Sequence, residues 1–522
     1  MIPPEKTPAA PPPDGRLSGV YGQQRPARNR RRAAWLALIS ARRAGAVSCL
    51  AALLVLSGCA TNPATGERQI TPIMSAAQEA QAGADAHPKI LEAYGGAYDD
   101  VELGAYVAGV TARIARATNQ PDGPYRVTLL DSPVINAFAL PGGYVYVTRG
   151  LMALANDEAE LAGVIGHEIG HVAARHSAQR QTAMMGTSLL GAVLGAVVGS
   201  SAVDQIVGLG GQGLLASYSR DQEYEADMLG VRYLAKAGYD PYAAGDFLQS
   251  MGAEEELNAQ VRKAEYDPAR NDWLASHPAS PARVAAANGH ARETGLSPAQ
   301  RDRNRGTYLS AIDGMLYGDN PDEGVVRDRV FIHPKLRFRF EAPPNFTITN
   351  SASAVVVQGP DKTIVKFDTA SKAAGLEIGR YLVNDWGKGV RLSAPENFTV
   401  NGMKAATARA KIGAYNGRLV AIEFAPDRVY RFLMGTMPAA ATRHDAALHE
   451  LVMSFRKISA AEAKAVKPLR IRIVTVRSGD SAASLGRRMV FSDFQAMRFR
   501  VLNGLGANEE PKPGTRVKIV TD

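Results

Sequence analysis

The stretch Glu160-Leu161-Ala162-Gly163-Val164-Ile165-Gly166-His167-Glu168-Ile169-Gly170-His171-Val172-Ala173-Ala174-Arg175-His176 decides how this chain is read. On an α-helix four residues turn the chain by about 400°, so His167 and His171 leave one face about 40° apart and both reach a single Zn²⁺. Glu168, beside the first histidine, is set to take a proton from a water held at the ion's open position and not to bind the ion itself. His176 lies nine residues after His167, about half a turn away on a continuous helix, and is expected to point away from the metal in a structural role.

The third ligand sorts the alternatives. A metzincin needs Gly and His three and six residues after the second histidine, and Ala174 and Ser177 stand there instead. A carboxylate from a second helix fits better. In Ser219-Arg220-Asp221-Gln222-Glu223-Tyr224-Glu225-Ala226-Asp227, Glu223 and Asp227 share a face at i and i+4. Glu223 completes two imidazoles and one carboxylate around one zinc ion per chain, with a fourth position left for water. Asp227 is then the acceptor for a ligand histidine N–H.

With these residues in view, the chain resembles metallopeptidase family forty-eight, the HtpX- and BepA-like gluzincin zinc endopeptidases, over about residues 75–295. The resemblance includes Asn136-Ala137-Phe138-Ala139-Leu140-Pro141-Gly142-Gly143 before the metal motif, and Ser276-His277-Pro278 with Arg283 after it. It implies that Asn136, Ala137, Phe138 and Ala139 form an edge strand that pairs with an extended peptide, and that Arg283 supports the ligands from behind. Ser280-Pro281 reads as a helix N-cap followed by Pro at the first helical position, which puts His277 in the entering loop. There His277 either fills the open position of a resting enzyme or donates to the oxyanion that forms on attack. The first role is preferred, because a protease among folded neighbours needs restraint.

Outward from this region, Ala44–Ser57 is a short apolar run behind Arg42-Arg43, and Leu56-Ser57-Gly58-Cys59 resembles a bacterial lipobox. Cys49, the only other cysteine, falls in the segment that would be removed, so Cys59 is free for lipid. Ala60, where an Asp would retain a lipoprotein at the inner membrane, implies the periplasmic face of the outer membrane. Residues 1–58 hold nine basic and two acidic side chains and so account for seven of the nine net positive charges. No basic domain remains to bind nucleic acid. Thr182–Val203 is uncharged and Gly-rich, but one span there would separate Glu223 from His167, so it reads as a flap or membrane-surface patch.

After about residue 305 the pattern changes to period-two alternation, as in Leu336–Phe340, and Asn416-Gly417 signals a type I′ hairpin turn between apolar runs. In the tail, Arg477-Ser478-Gly479-Asp480-Ser481, Leu502-Asn503-Gly504 and Lys512-Pro513-Gly514-Thr515 resemble the LysM module, a peptidoglycan-binding strand–helix–helix–strand unit. The expected fold is therefore α+β and multidomain. A signal segment (1–58) and a lipid-proximal tether (59–74) lead into a mainly helical gluzincin metallopeptidase domain (75–305), an α+β domain with an antiparallel sheet (325–460) and a LysM-like module (470–522). The expected activity is zinc-dependent cleavage of unfolded or misassembled envelope proteins. The alternative is a peptidoglycan-docked scaffold or assembly chaperone with little proteolysis.

Overall fold

A computed structural model describes residues 59–62, 64–66, 68–70, 74–180, 218–262, 277, 280–351 and 354–522. The export segment 1–58, the apolar run 182–203, Ser276 and Pro278 lie outside the described residues. Among the described residues, no helix is long and apolar enough to cross a membrane.

Ser75 and Gln78 cap α1 (Ala76–Ala93) reciprocally, and the Asp100 carboxylate caps α2 (Val101–Ala117). A small sheet follows, with β1 (Arg126–Leu130) parallel and β2 (Ala137–Leu140) antiparallel to the central strand β3 (Tyr144–Thr148). β2 is therefore an edge strand, and its four side chains are buried. The turn into β3 needs glycine: Gly143 has φ +83°, and a Cβ there would sit 2.5 Å from the Pro124 carbonyl oxygen.

Helices then dominate: α3 (Arg149–Leu154), α4 (Glu158–Ala173), α5 (Arg220–Lys236), α6 (Ala243–Arg262), α7 (Pro281–Glu293) and α8 (Arg305–Ile312), closed by the short strand β4 (Leu316–Tyr317). α4 carries the metal motif and runs through the middle of the core, with Val172 its one partly exposed residue. Asp157 caps its first turn, where Glu158 and Glu160 also favour the positive end of the helix dipole.

A second core lies in the α+β segment, where Phe331, Phe338, Phe340, Phe367, Tyr430 and Phe432 pack together beneath an antiparallel seven-stranded sheet. The expected hairpin is present, between strands Met403–Ile412 and Tyr415–Ala425, but its turn falls at Gly413-Ala414. Gly413 supplies the positive φ of +56°, and Asn416 and Gly417 lie inside the second strand, paired with Lys411 and Ala410.

The tail has the strand, helix, helix, strand order read from its sequence: β5 (Leu469–Thr475), α9 (Ala482–Gly486), α10 (Gln495–Leu502) and β6 (Arg516–Thr521). It does not have a core of its own. Ile471, Leu485, Phe499 and Ile519 belong to the same hydrophobic cluster as α4, and β5 pairs with β4 from before the α+β segment. The α+β unit is thus inserted between two paired strands of the first body. Lys518, fully buried on β6, donates to the carbonyl oxygens of Ala153, Leu154 and Ala155 at 2.8, 3.0 and 2.7 Å. These are the orphan carbonyls at the end of α3.

Replacing Lys518 by Met should leave three buried carbonyls without donors at a cost of about 3 kcal/mol or more. Thermal unfolding followed by circular dichroism should show the midpoint several degrees lower. An unchanged midpoint would mean that the tail rests on the helical body without bracing it.

Candidate metal centre

His167 and His171 project from one face of α4 with ring centroids 4.6 Å apart and planes at 82°. What brings α5 to that face is a lack of side chains. A Cβ on Gly166 would lie 3.3 Å from the Gly230 Cα, one on Gly170 3.3 Å from the Ala226 carbonyl oxygen, and one on Gly230 3.0 Å from the His167 backbone nitrogen. The spacing Gly166-x-x-x-Gly170 was the sequence signal for this close crossing, and the sequence reading passed over it. Ser219 and Gln222 cap α5 reciprocally, so Glu223 sits in its first turn, aimed across the crossing.

The three expected ligands converge. His167 Nε2 and His171 Nε2 are 3.0 Å apart, and the Glu223 carboxylate lies 3.6 Å from the first and 3.4 Å from the second. Two atoms bound to one tetrahedral zinc at about 2.0–2.1 Å lie about 3.3 Å apart, so the donor set fits one such ion. His277 joins them, its Nδ1 2.8 Å from Glu223 Oε1 and 3.2 Å from His167 Nε2. These four residues form a group able to hold a metal ion. Glu168 is fully buried beside them, its Oε1 3.8 Å from His277 Nε2.

The surrounding charges are arranged by Asp227 and Arg283. Asp227 Oδ1 lies 2.9 Å from His167 Nδ1, which leaves Nε2 to face the metal position. Ser280 caps α7 and Pro281 opens it, which delivers Arg283 to the same place. Its guanidinium donates to both Asp227 oxygens at 2.8 and 2.7 Å and reaches Glu223 Oε2 at 2.9 Å. Burial pushes the Glu223 carboxyl up, but His277, His171 and His167 outweigh it and hold the group well below the usual carboxylate range. Burial likewise opposes ionisation of Asp227, and Arg283 and His167 hold it down. Burial drives the His171 imidazole well below its ordinary range, keeping it neutral with a lone pair for a cation.

A model of peptidase family M48 matches residues 103–291. This region is an M48 metallopeptidase domain. The M48 domain also accounts for the relatives. The chain is 29% identical over 230 residues to the β-barrel assembly-enhancing protease of Escherichia coli, a match covering 42% of this chain and 45% of that one. It is 36% identical over 163 residues to the mitochondrial metalloendopeptidase OMA1 of Arabidopsis thaliana, covering 31% of each. To OMA1 of Schizosaccharomyces pombe it is 31% identical over 212 residues, covering 38% of this chain and 57% of that one. The chain thus spans between 31% and 57% of the length of these relatives. Zinc is the cofactor of the M48 family, and the donor set above suits it.

Every site residue named from the sequence within the M48 domain is near this centre or on the neighbouring sheet. Asn136 precedes β2 and accepts β3 pairing through its backbone, while Ala137, Phe138 and Ala139 lie in the edge strand. His176 is not among the metal-facing residues, as its spacing implied, but the helix does not continue to it. α4 ends at Ala173, Arg175 takes a left-handed φ of +59°, and the chain doubles back so that His176 Nδ1 meets His171 Nδ1 at 2.8 Å. Tyr218, whose ring stacks on His171 at 3.9 Å, carried no sequence signal. The presumed tether is also docked in part: Asn62 and Ala64 are buried, and Asn62 Nδ2 donates to Glu225 at 2.6 Å.

Gly230→Val should push α5 away from the His167 backbone and separate Glu223 from the histidines. Zinc affinity measured by chelator competition should fall by at least tenfold, about 1.4 kcal/mol. Wild-type affinity in this variant would show that the crossing does not set the ligand distances.

Proposed function

We propose that this protein is a zinc-dependent endopeptidase of the bacterial envelope that cleaves unfolded or misassembled envelope proteins. The observation that carries the reading is the convergence of His167 Nε2, His171 Nε2 and the Glu223 carboxylate with Glu168 buried beside them. The relatives named as proteases, one of them β-barrel assembly-enhancing, support envelope proteins as substrates. A lipid on Cys59 would hold the enzyme to the periplasmic face of the outer membrane, and the strand, helix, helix, strand order of residues 470–522 supports a peptidoglycan contact.

When bound, zinc supplies a Lewis acid and an acidified water. Glu168, buried beside the ligand set without completing it, would take a proton from the attacking water and hand it to the leaving amine. An extended peptide would pair with the edge strand β2 through backbone hydrogen bonds. Asp227 and Arg283 keep His167 and Glu223 in place through the cycle. His277, with its Nδ1 beside Glu223 and His167, holds the enzyme at rest until it is displaced.

In purified enzyme, Glu168→Gln should retain stoichiometric zinc and lose casein hydrolysis by several orders of magnitude, whereas Glu223→Gln should lose zinc. His277→Ala should raise basal cleavage of an unfolded substrate with zinc retained. A fall in kcat at unchanged zinc would assign His277 to the oxyanion instead, and near wild-type turnover by Glu168→Gln would sink the mechanism. Cys59→Ser should release the protein from the outer-membrane fraction, and continued sedimentation with membranes would count against the anchor.

A further inference from the structure

We infer that His176 and Glu225 are positioning residues for the ligand His171, an inference that rests on the zinc reading above. Each metal-facing histidine has a second ring nitrogen, and what that nitrogen bonds to sets the ring's tautomer and direction. For His167 the partner is Asp227. For His171 it is His176, fully buried, with an Nδ1 to Nδ1 distance of 2.8 Å.

A hydrogen bond between two ring nitrogens needs one donor and one acceptor, and the surroundings fix which is which. His171 turns Nε2 toward His167 and Glu223, at 3.0 and 3.4 Å, so its proton is on Nδ1 and is donated to His176. His176 Nδ1 therefore accepts, and its own proton is on Nε2, 3.1 Å from Glu225 Oε2. The Glu225 carboxylate is an acceptor only, and its other oxygen takes the bond from Asn62 Nδ2 at 2.6 Å. The polarity of the whole chain thus runs from ligand to carboxylate and cannot reverse.

The turn that creates this contact is itself held. Arg175, in its left-handed conformation, donates from Nε to Glu79 Oε1 at 2.9 Å and from Nη2 to the Met74 carbonyl oxygen at 2.6 Å. Tyr218 fixes the plane of the His171 ring, stacking at 14°, and its hydroxyl lies 2.8 Å from Ser177 Oγ. His171 is therefore oriented through three residues that do not touch the metal position, and the series ends at Asn62, three residues after Cys59.

The test is zinc binding by the full chain, measured by chelator competition. His176→Phe keeps a ring but removes both nitrogens and should weaken zinc by about 10- to 100-fold. His176→Asn returns an acceptor near the Nδ1 position and should bind within about threefold of wild type. Glu225→Leu should weaken zinc in the same direction, while Glu225→Gln, which keeps an acceptor oxygen, should stay close to wild type. The Glu225 side chain is 24% exposed, so this pair decides the matter if His176→Phe does not fold. Glu225→Leu binding as tightly as wild type, or His176→Asn binding no better than His176→Phe, would overturn the inference. A wild-type chain that binds no zinc would instead overturn the metal reading on which it rests.

Discussion

Helices α4 and α5 cross so closely at Gly166, Gly170 and Gly230 that a single methyl on Gly230 would meet the His167 backbone at 3.0 Å. Ordinary helix pairs stand about 8–10 Å apart, separated by interleaved side chains. Here backbone nearly meets backbone, and that is what lets a carboxylate in the first turn of α5 stand within 3.4 to 3.6 Å of two imidazoles on α4. The ligand set is a property of the crossing before it is a property of the ligands.

The same closeness buries charge. Glu168, Glu223 and Asp227 are all nearly inaccessible, and the Arg283 guanidinium bonds two of them. Removing an ionised carboxylate from water costs several kcal/mol, so such a group persists only where its partners are complete. The site therefore behaves as a unit: α4 brings the imidazoles, α5 two carboxylates, and α7 the cation that holds those carboxylates together. Each ligand histidine in turn has its own acceptor, Asp227 on one side and His176 on the other.

How much of this could be read beforehand depended on whether the signal was local. The His-Glu-x-x-His spacing and the Glu223 and Asp227 pair are periodic on single helices, and the cap at Ser280 is readable because it too is local. The contact of His176 with His171 was not legible, because angular arithmetic assumes that the helix continues, and a left-handed Arg175 ends it. The hairpin turn shifted from Asn416-Gly417 to Gly413-Ala414, since the register of two long strands outweighed a favourable dipeptide. The tail's elements were legible, but its binary pattern could not say what its apolar face would meet. Burial of Lys518 against α3 depends on a contact across more than 360 residues of chain, which no window of sequence reports.

That distant contact has a temporal meaning. A polypeptide grows from its N-terminus, so α3, α4 and β4 emerge first and the whole α+β unit must follow before β5 and β6 arrive to complete their core. Contacts of such long sequence separation form late, because loop closure must come before they stabilise anything. Until Lys518 leaves the ribosome, the carbonyl end of α3 and the apolar bed beneath α4 are open. A chain interrupted anywhere in the inserted unit holds both histidines and the glutamate yet lacks the strands that close the body around them. Closure of the helical core therefore waits on strands that follow the inserted unit, although most of that core is made before it.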